Sequence, residues 1–320
     1  MEPGTQRWAY RGLAAISALL LAVLYGHDLG HAFGNGDEAI YAEFVRAMQR
    51  SGDYLRLEYL GAELLQRPPT SVALYAGVSN LVPGELGLRL APALLTLATY
   101  VGIGAFVWRR TGRLSAGVAA MVVGATVPTV WTYGRVAFSD PPFVAAVTGA
   151  LLATIAAQKE ARWLPWAAAG LGAAIAVKSL AGAIPALALG PWLLAAAWRH
   201  RAKRRRLAAA LVAFALLAAP YYVISAAVYG GRFYREHLER NLAERAAGDL
   251  ESIVGLGGPR SYIRYVWAAD GAVIAALVVG VLGAAVFVGR RRARPELLVP
   301  ATYCALVFLG LSVVGTRLGH

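Results

Sequence analysis

Long apolar stretches, separated by short polar ones, run along almost the whole chain. Most of them are about 17 to 20 residues long, and an α-helix rising about 1.5 Å per residue needs that length to cross a hydrocarbon layer of roughly 30 Å. The pattern predicts an all-α integral membrane protein with about nine spans: Gly12–Tyr25, Leu90–Trp108, Ser115–Tyr133, Pro141–Ala157, Trp163–Val177, Leu180–Trp198, Leu207–Tyr229, Gly271–Gly289 and Leu297–Gly315.

Composition supports the same class. Hydrophobic side chains make up 58% of the 320 residues and charged ones only 15%, whereas soluble domains carry about a quarter charged residues. The single cysteine, Cys304, lies inside an apolar stretch, which excludes an internal disulfide and a cysteine-rich metal site.

The net charge of +13 could indicate a nucleic-acid partner. The positions of the charges along the chain decide between this interpretation and a membrane protein with one basic face. The N-terminal tail and four short clusters in alternate gaps between spans hold 17 of the 31 Lys and Arg but only three of the 18 Asp and Glu. The positive-inside rule makes this side cytoplasmic, with the N-terminus, and basic clusters at helix ends argue against nucleic acid. His27–His31 offers no small-residue cleavage site, so the first helix is expected to stay attached.

Two longer polar segments fall on the opposite, external side, at about 27–89 and 230–270. Inside the first, Pro68–Val82 is apolar but short, and Pro83 and Gly84 end it, which favours an interfacial or re-entrant helix. Alternating charges in the second are typical of a solvated helix on the membrane surface. The chain has no repeat or linker, so one membrane domain covering residues 1–320 is predicted.

The first candidate for chemistry follows the first span. Gly34 and Gly36 permit a tight turn, and Asp37 and Glu38 then start a helix, where the positive end of the helix dipole favours carboxylates. A capped helix without any chemistry would give the same pattern.

Three cations on the external side are further candidates. Arg67 stands before two prolines at the membrane surface, where a guanidinium suits a lipid-linked phosphate, although a snorkelling arginine would look alike. Arg135 lies in a short turn ending at Asp140, which the Ser-Asp-Pro-Pro sequence explains equally well as a helix start. Lys178 separates two apolar stretches and is either a hairpin tip or an ion facing an aqueous cavity.

Taken in order, these segments resemble membrane glycosyltransferases of the GT-C type that use polyprenyl-phosphate sugars, particularly relatives of protein mannosyltransferase and of the lipid A aminoarabinose transferase. The matching segments are Asp37–Glu43 for a D-E-x-x-Y-A-E motif, Ser51–Tyr54, Gln66–Pro69 for an acidic-Lys-Pro-Pro motif, Arg135–Pro142, Ala176–Ser179 for a T-K-G motif, Pro220–Tyr222 and Arg240–Leu242.

The resemblance implies a GT-C-like fold and a role for each matched residue. Asp37 would be the general base, and a divalent metal, if used, would be held by Asp37 and Asp140. Arg67, Lys178 and Arg135 would bind the donor phosphate. The substrate-positioning residues would be Glu38, Tyr41, Gln66, Asp140, His237 and Asn241.

The sequence departs from the family pattern at three places. Gln66 replaces a carboxylate that can help to hold a metal. Arg240 stands where histidine is common, and His237 is a candidate substitute. The last residues, 316–320, resemble a K-L-P-H-Y region after which further helices normally follow, so a shorter C-terminus than in other members is expected.

The implied reaction is attack by an acceptor on the anomeric carbon of a sugar carried by undecaprenyl phosphate, with inversion. A lipid phosphate leaves as an anion, so cations rather than a general acid would assist it. The implied location is the bacterial inner membrane with the active site facing the periplasm or exterior. The acceptor, a lipid, glycan or protein, and the sugar stay open.

Two other function classes remain. A transporter or flippase would carry charges in the middle of spans and paired broken helices, but nearly all span interiors here are uncharged. A noncatalytic sensor or assembly factor would fit the neutral Gln66 and the short C-terminal end.

Overall fold

The computed structural model describes residues 3–31, 36–201, 203–239 and 298–304. Within these ranges the chain is helical apart from one short hairpin, so the predicted all-α class is confirmed. The helices are α1 (Pro3–Gly26), α2 (Gly36–Ser51), α3 (Thr70–Ser79), α4 (Gly84–Thr111), α5 (Leu114–Ala125), α6 (Pro128–Tyr133), α7 (Asp140–Ala157), α8 (Leu164–Lys178), α9 (Leu180–Arg199), α10 (Arg204–Ala218), α11 (Pro220–Tyr229) and α12 (Gly231–Tyr234). A π-helical turn, Arg235–Glu239, follows α12, and residues 298–304 are also helical.

Two compact units divide the chain. The first unit consists of Met1–Glu63 and Pro69–Thr148, and the second of Leu64–Pro68 and Gly149–His320. The single membrane domain expected from the sequence stays a prediction.

Among the described residues, three helices are long and apolar enough to cross a membrane: α4, α7 and α9. The pair α10 and α11 would be a fourth span, bent by 48°, and α1 and α5 contribute shorter apolar helices. The predicted span Gly271–Gly289 lies outside the described residues, and only 298–304 of the last predicted span is described. The count of nine spans therefore stays a prediction.

Proline breaks two of the predicted uninterrupted spans. The stretch Ser115–Tyr133 divides into α5 and α6 at Pro128, and Leu207–Tyr229 divides into α10 and α11 at Pro220. Proline lacks the N–H of a helix interior and suits the first turn of a new helix. Val127, before Pro128, leaves the helical conformation (φ −58°, ψ 127°), whereas Ala219, before Pro220, stays helical (φ −83°, ψ −31°) and the helix bends by 48°.

In each unit, a pair of helices packs with the two backbones in close contact at a glycine residue. In the first unit, a Cβ on Gly117 would lie 2.5 Å from the carbonyl oxygen of Gly104, so α4 and α5 touch through glycine. In the second unit, a Cβ on Gly172 of α8 would lie 2.7 Å from the carbonyl oxygen of Phe214 in α10. Small residues at such crossings are the usual basis of helix association in membranes.

The polar segment at about 27–89 contains more structure than the sequence indicated. Its apolar piece forms α3, as predicted, but a hairpin also pairs Glu58–Tyr59 (β1) with Ala62–Glu63 (β2). Leu60 and Gly61 form the turn with φ values of 50° and 80°, and positive φ at both positions is what a two-residue type I′ hairpin turn requires.

Candidate active site

A buried ion pair lies beneath the D-E motif in the first unit. Glu38, in the first turn of α2, and Arg89, in the second turn of α4, are each only 3% exposed at the side chain. Arg89 Nε and Nη2 donate to the two carboxylate oxygens of Glu38 at 2.7 Å, and its Nη1 donates to the carbonyls of Leu29 and His31 at 3.0 and 2.6 Å. The guanidinium therefore joins α4, the start of α2 and the chain after α1.

The turn between α6 and α7 is anchored from several sides. Glu38 accepts a hydrogen bond from the amide of Ala137 at 3.3 Å. Tyr75 in α3 donates to the Phe138 carbonyl, and Thr96 in α4 donates to the Gly134 carbonyl at 2.6 Å. Burial raises the pKa of the Tyr75 phenol well above its ordinary value, so Tyr75 stays a neutral donor.

Arg135 also supports this turn. Its Nη1 donates to the His27 carbonyl at 2.8 Å and to the Leu24 carbonyl at 3.4 Å, and its guanidinium lies over the Trp131 ring, 4.3 Å from the centroid. These contacts join the turn to the end of α1. The predicted phosphate-binding role of Arg135 stays a prediction.

Asp37 and Asp140 occupy the first turns of α2 and α7, and both are exposed. Their chain neighbours meet, because Glu38 follows Asp37 and holds the amide of Ala137, three residues before Asp140. Both residues also stand at helix N-termini. The first unit therefore presents these two exposed acids from adjoining segments.

Tyr41 is buried one turn after Asp37, and its ring contacts Phe44 and Phe138 with centroid distances of 5.8 and 5.9 Å. It packs α2 against the turn that precedes α7. Its predicted contact with substrate stays a prediction.

In the second unit, Lys178 ends α8 and Ser179 forms the break before α9. Ser179 has φ 51° and ψ −126°, a conformation that L-residues rarely adopt. Such strained residues are typically held in place by their surroundings and are concentrated at functional sites. Lys178 is half-buried beside this strained residue.

A buried network centres on His237, whose side chain is fully enclosed. Nδ1 lies 2.8 Å from the Leu65 carbonyl and Nε2 lies 2.7 Å from Ser179 Oγ. Tyr221 donates to the same Leu65 carbonyl at 2.7 Å, and Tyr222 donates to Ser179 Oγ at 3.0 Å. The network links the 64–68 segment, the α8–α9 break, the start of α11 and the π-helical turn.

Gln66 and Arg67 follow Leu65 directly, with Gln66 half-buried and Arg67 exposed. In the second unit, Gln66, Arg67 and Lys178 thus each lie within two residues along the chain of a member of the His237 network. Asn241 lies outside the described residues.

The described part of the chain contains no group of three or more His, Cys, Asp or Glu side chains that could hold a metal ion. Asp37 and Asp140 offer carboxylate oxygens of the kind that divalent cations prefer. The predicted metal stays a prediction.

Sequence reasoning missed two important residues. Arg89 is an ionisable group near the start of an apolar stretch, and that signal alone predicts a buried partner. Ser179 was noticed only as the residue after Lys178, and no pattern in the sequence indicates its strained backbone.

Residues 66–224 match the family model described as dolichyl-phosphate-mannose-protein mannosyltransferase. A comparison with curated proteins found no match.

The fold is similar to that of two crystal structures of ArnT from Cupriavidus metallidurans. The structure bound to undecaprenyl phosphate aligns with a TM-score of 0.72 and 22% sequence identity over 97% of this chain and 57% of that chain. The apo structure aligns with a TM-score of 0.61, also at 22% identity, over 97% of this chain and 60% of that chain. This chain therefore spans about three-fifths of the length of the ArnT structures.

The matched segment holds the Gln66–Pro69, Arg135–Pro142 and Ala176–Ser179 motifs on which the resemblance rested, and the ArnT-like fold extends over nearly all of the chain. Through residues 66–224, just under half of its length, the chain is similar to the dolichyl-phosphate-mannose-protein mannosyltransferase family.

Proposed function

We propose that this protein transfers a sugar from a polyprenyl-phosphate donor to an acceptor on the external face of the membrane. The observation that carries the proposal is the family match joined to a fold similar, over 97% of the chain, to a protein crystallised with undecaprenyl phosphate. The distribution of basic residues supports the external face, because the positive-inside rule puts the N-terminal side in the cytoplasm. The proposed location is a bacterial inner membrane.

Asp37 is the proposed general base. Its carboxylate accepts the proton of an acceptor hydroxyl as the acceptor oxygen bonds to the anomeric carbon of the sugar. The bond from that carbon to the phosphate oxygen breaks at the same time, and its electron pair stays on the lipid phosphate. A single displacement of this kind inverts the anomeric configuration.

Arg67 and Lys178 are the proposed cations for the donor phosphate. Charge-assisted hydrogen bonds to phosphate are shorter and about twice as strong as neutral ones, and they stabilise the charge that develops on the leaving group. Arg135 has two carbonyl partners for its Nη1, so within this proposal it supports the turn that carries Asp140.

A divalent cation, if used, would be held by Asp37 and Asp140 and would supply positive charge that stabilises an anionic group. Asp37 and Asp140 are both exposed, and the described residues contain no cluster of three potential ligands. The proposed proton transfer and phosphate binding use the side chains of Asp37, Arg67 and Lys178.

The test is sugar transfer by purified protein in nanodiscs, with a radiolabelled sugar on undecaprenyl phosphate and candidate lipid, glycan and peptide acceptors. Asp37→Asn keeps the size and much of the hydrogen bonding of the side chain but removes the base. Turnover is expected to fall by about 10² to 10⁴, with little change in the affinity for undecaprenyl phosphate.

Glu43→Gln is the matched control on the same helix, because Glu43 pairs with the exposed Arg50 and Arg46. It should leave turnover near that of wild type. Full activity in Asp37→Asn together with a loss of activity in Glu43→Gln would show that Asp37 is not the base and that the proposal chose the wrong face of α2. If the protein moves undecaprenyl phosphate between leaflets but transfers no sugar, the proposed glycosyltransferase is wrong and the protein is a transporter or flippase.

A further inference from the structure

We infer that His237 is a positioning residue, which with Ser179 holds the 64–68 segment and the α8–α9 break together and so sets the spacing of the two phosphate-binding cations, Arg67 and Lys178. The inference rests on the proposed function for the identity of the phosphate ligand. It differs from the sequence-based expectation that His237 itself meets the substrate.

The hydrogen bonds of His237 leave it no free ring nitrogen. A carbonyl oxygen only accepts, so Nδ1 carries the proton donated to Leu65 at 2.8 Å. Ser179 Oγ accepts from Tyr222 at 3.0 Å and can therefore donate to Nε2 at 2.7 Å. A neutral ring with its proton on Nδ1 satisfies both hydrogen bonds. Since the ring is also fully buried, it acts on a substrate only through its partners.

Aromatic side chains fix the orientation of the ring. Phe233 stacks on it with a centroid distance of 4.9 Å and an interplanar angle of 24°. Tyr221 and Tyr222 meet it edge to face at 5.5 and 5.4 Å. With its rotation blocked, the imidazole is a rigid strut between the Leu65 carbonyl and the Ser179 hydroxyl.

Each end of this strut is one or two residues from a cation. Lys178 directly precedes Ser179, and Arg67 is two residues after Leu65. Successive Cα atoms are only about 3.8 Å apart, so a displacement of the strut also displaces the side chains of Arg67 and Lys178. Displacements of about 1 Å in groups that bind a reacting substrate can lower rates about 10²-fold.

The strained backbone of Ser179 provides a selective way to cut the strut. Glycine adopts a φ of 51° and ψ of −126° without penalty, so Ser179→Gly removes the hydroxyl while relaxing the local backbone. The variant is therefore expected to fold, and it leaves Lys178 and Arg67 in the chain.

The experiment measures equilibrium binding of undecaprenyl phosphate to the purified full chain in nanodiscs that lack this lipid. Lys178→Gln removes one charge-assisted contact and should weaken binding about tenfold or more. Ser179→Gly should weaken it about tenfold while the melting temperature stays near that of wild type. In the double variant, Lys178→Gln should cost less than about threefold further, because the cation is already displaced.

Arg162→Gln is the control for the cation, because Arg162 also lies in the second unit and is exposed, with the exposed Glu160 as its ion-pair partner at 2.7 Å. Its effect should be small and should add to that of Ser179→Gly. Should Ser179→Gly fail to fold, His237→Asn takes its place in the same cycle with Lys178→Gln.

Independent, multiplying effects of Ser179→Gly and Lys178→Gln would overturn the inference while leaving the proposed function intact. If no protein binds undecaprenyl phosphate, the wild type included, both the inference and the proposed function are overturned.

Discussion

Substitution of Arg89 by methionine should be among the most destabilising single changes in the first unit. Methionine keeps much of the length and volume of the side chain but removes four hydrogen bonds, two of them to Glu38 at 2.7 Å. The Glu38 carboxylate would then be buried, with only the Ala137 amide at 3.3 Å among its described partners. Breaking a buried ion pair from one side typically costs about 3 to 5 kcal/mol.

A second substitution separates the buried charge from lost packing. Adding Glu38→Gln to Arg89→Met removes the unpaired charge, so the double variant should recover roughly 2 kcal/mol relative to Arg89→Met alone. Arg50→Met is the surface control, because the Arg50 side chain is 66% exposed in its pair with Glu43, and its loss should cost below about 1 kcal/mol.

The assay is reversible unfolding in mixed micelles with increasing denaturant, followed by tryptophan fluorescence. If Glu38→Gln lowers the free energy of unfolding as much in the Arg89→Met background as in the wild type, the unpaired charge does not dominate the loss and the argument is refuted. Equal losses in Arg89→Met and Arg50→Met would refute the assigned burial.

Three further predictions concern the donor site, the topology and the packing. Arg67→Gln should weaken undecaprenyl phosphate binding about tenfold or more and Arg67→Lys clearly less, because charge is retained; equal losses would contradict a charge-based contact. In a background without the native cysteine, Ser51→Cys should react with a membrane-impermeant maleimide from outside and Thr111→Cys only after permeabilisation, and the reverse would overturn the topology. Gly117→Ala should destabilise by about 1 to 3 kcal/mol in the same unfolding assay, since its Cβ would meet backbone at 2.5 Å, whereas Gly102→Ala, with nothing within 4 Å, should not.

The helices were predictable because a chain in lipid must satisfy its backbone hydrogen bonds locally, so each span is a long apolar stretch. The breaks at Pro128 and Pro220 could not be predicted from proline alone, because α4 and α9 continue through Pro92, Pro185 and Pro191. The β1–β2 hairpin was missed because its strands have two residues each, too few to show any alternation.

The candidate site was predictable where the signal is local and not where it depends on distant partners. Asp37 and Lys178 stand out as charges beside apolar stretches, and motifs mark them. The partner of Glu38 lies 51 residues away, and those of His237 lie 58 and 172 residues away. Spacing along the chain carries no information about such pairs, since they arise only from tertiary packing.

The assignment of Leu64–Pro68 to the second unit affects the order in which the protein can be made. Leu65, whose carbonyl accepts a hydrogen bond from His237, is synthesised 172 residues before that histidine. At about 5 to 20 residues per second, that delay is roughly 10 to 35 s. During this interval the helices α3 to α12 are synthesised while the segment beside Arg67 still lacks this partner. Completion of the second unit is therefore a late event in biogenesis, and a nascent chain stalled before residue 237 would carry the D-E motif without the histidine strut.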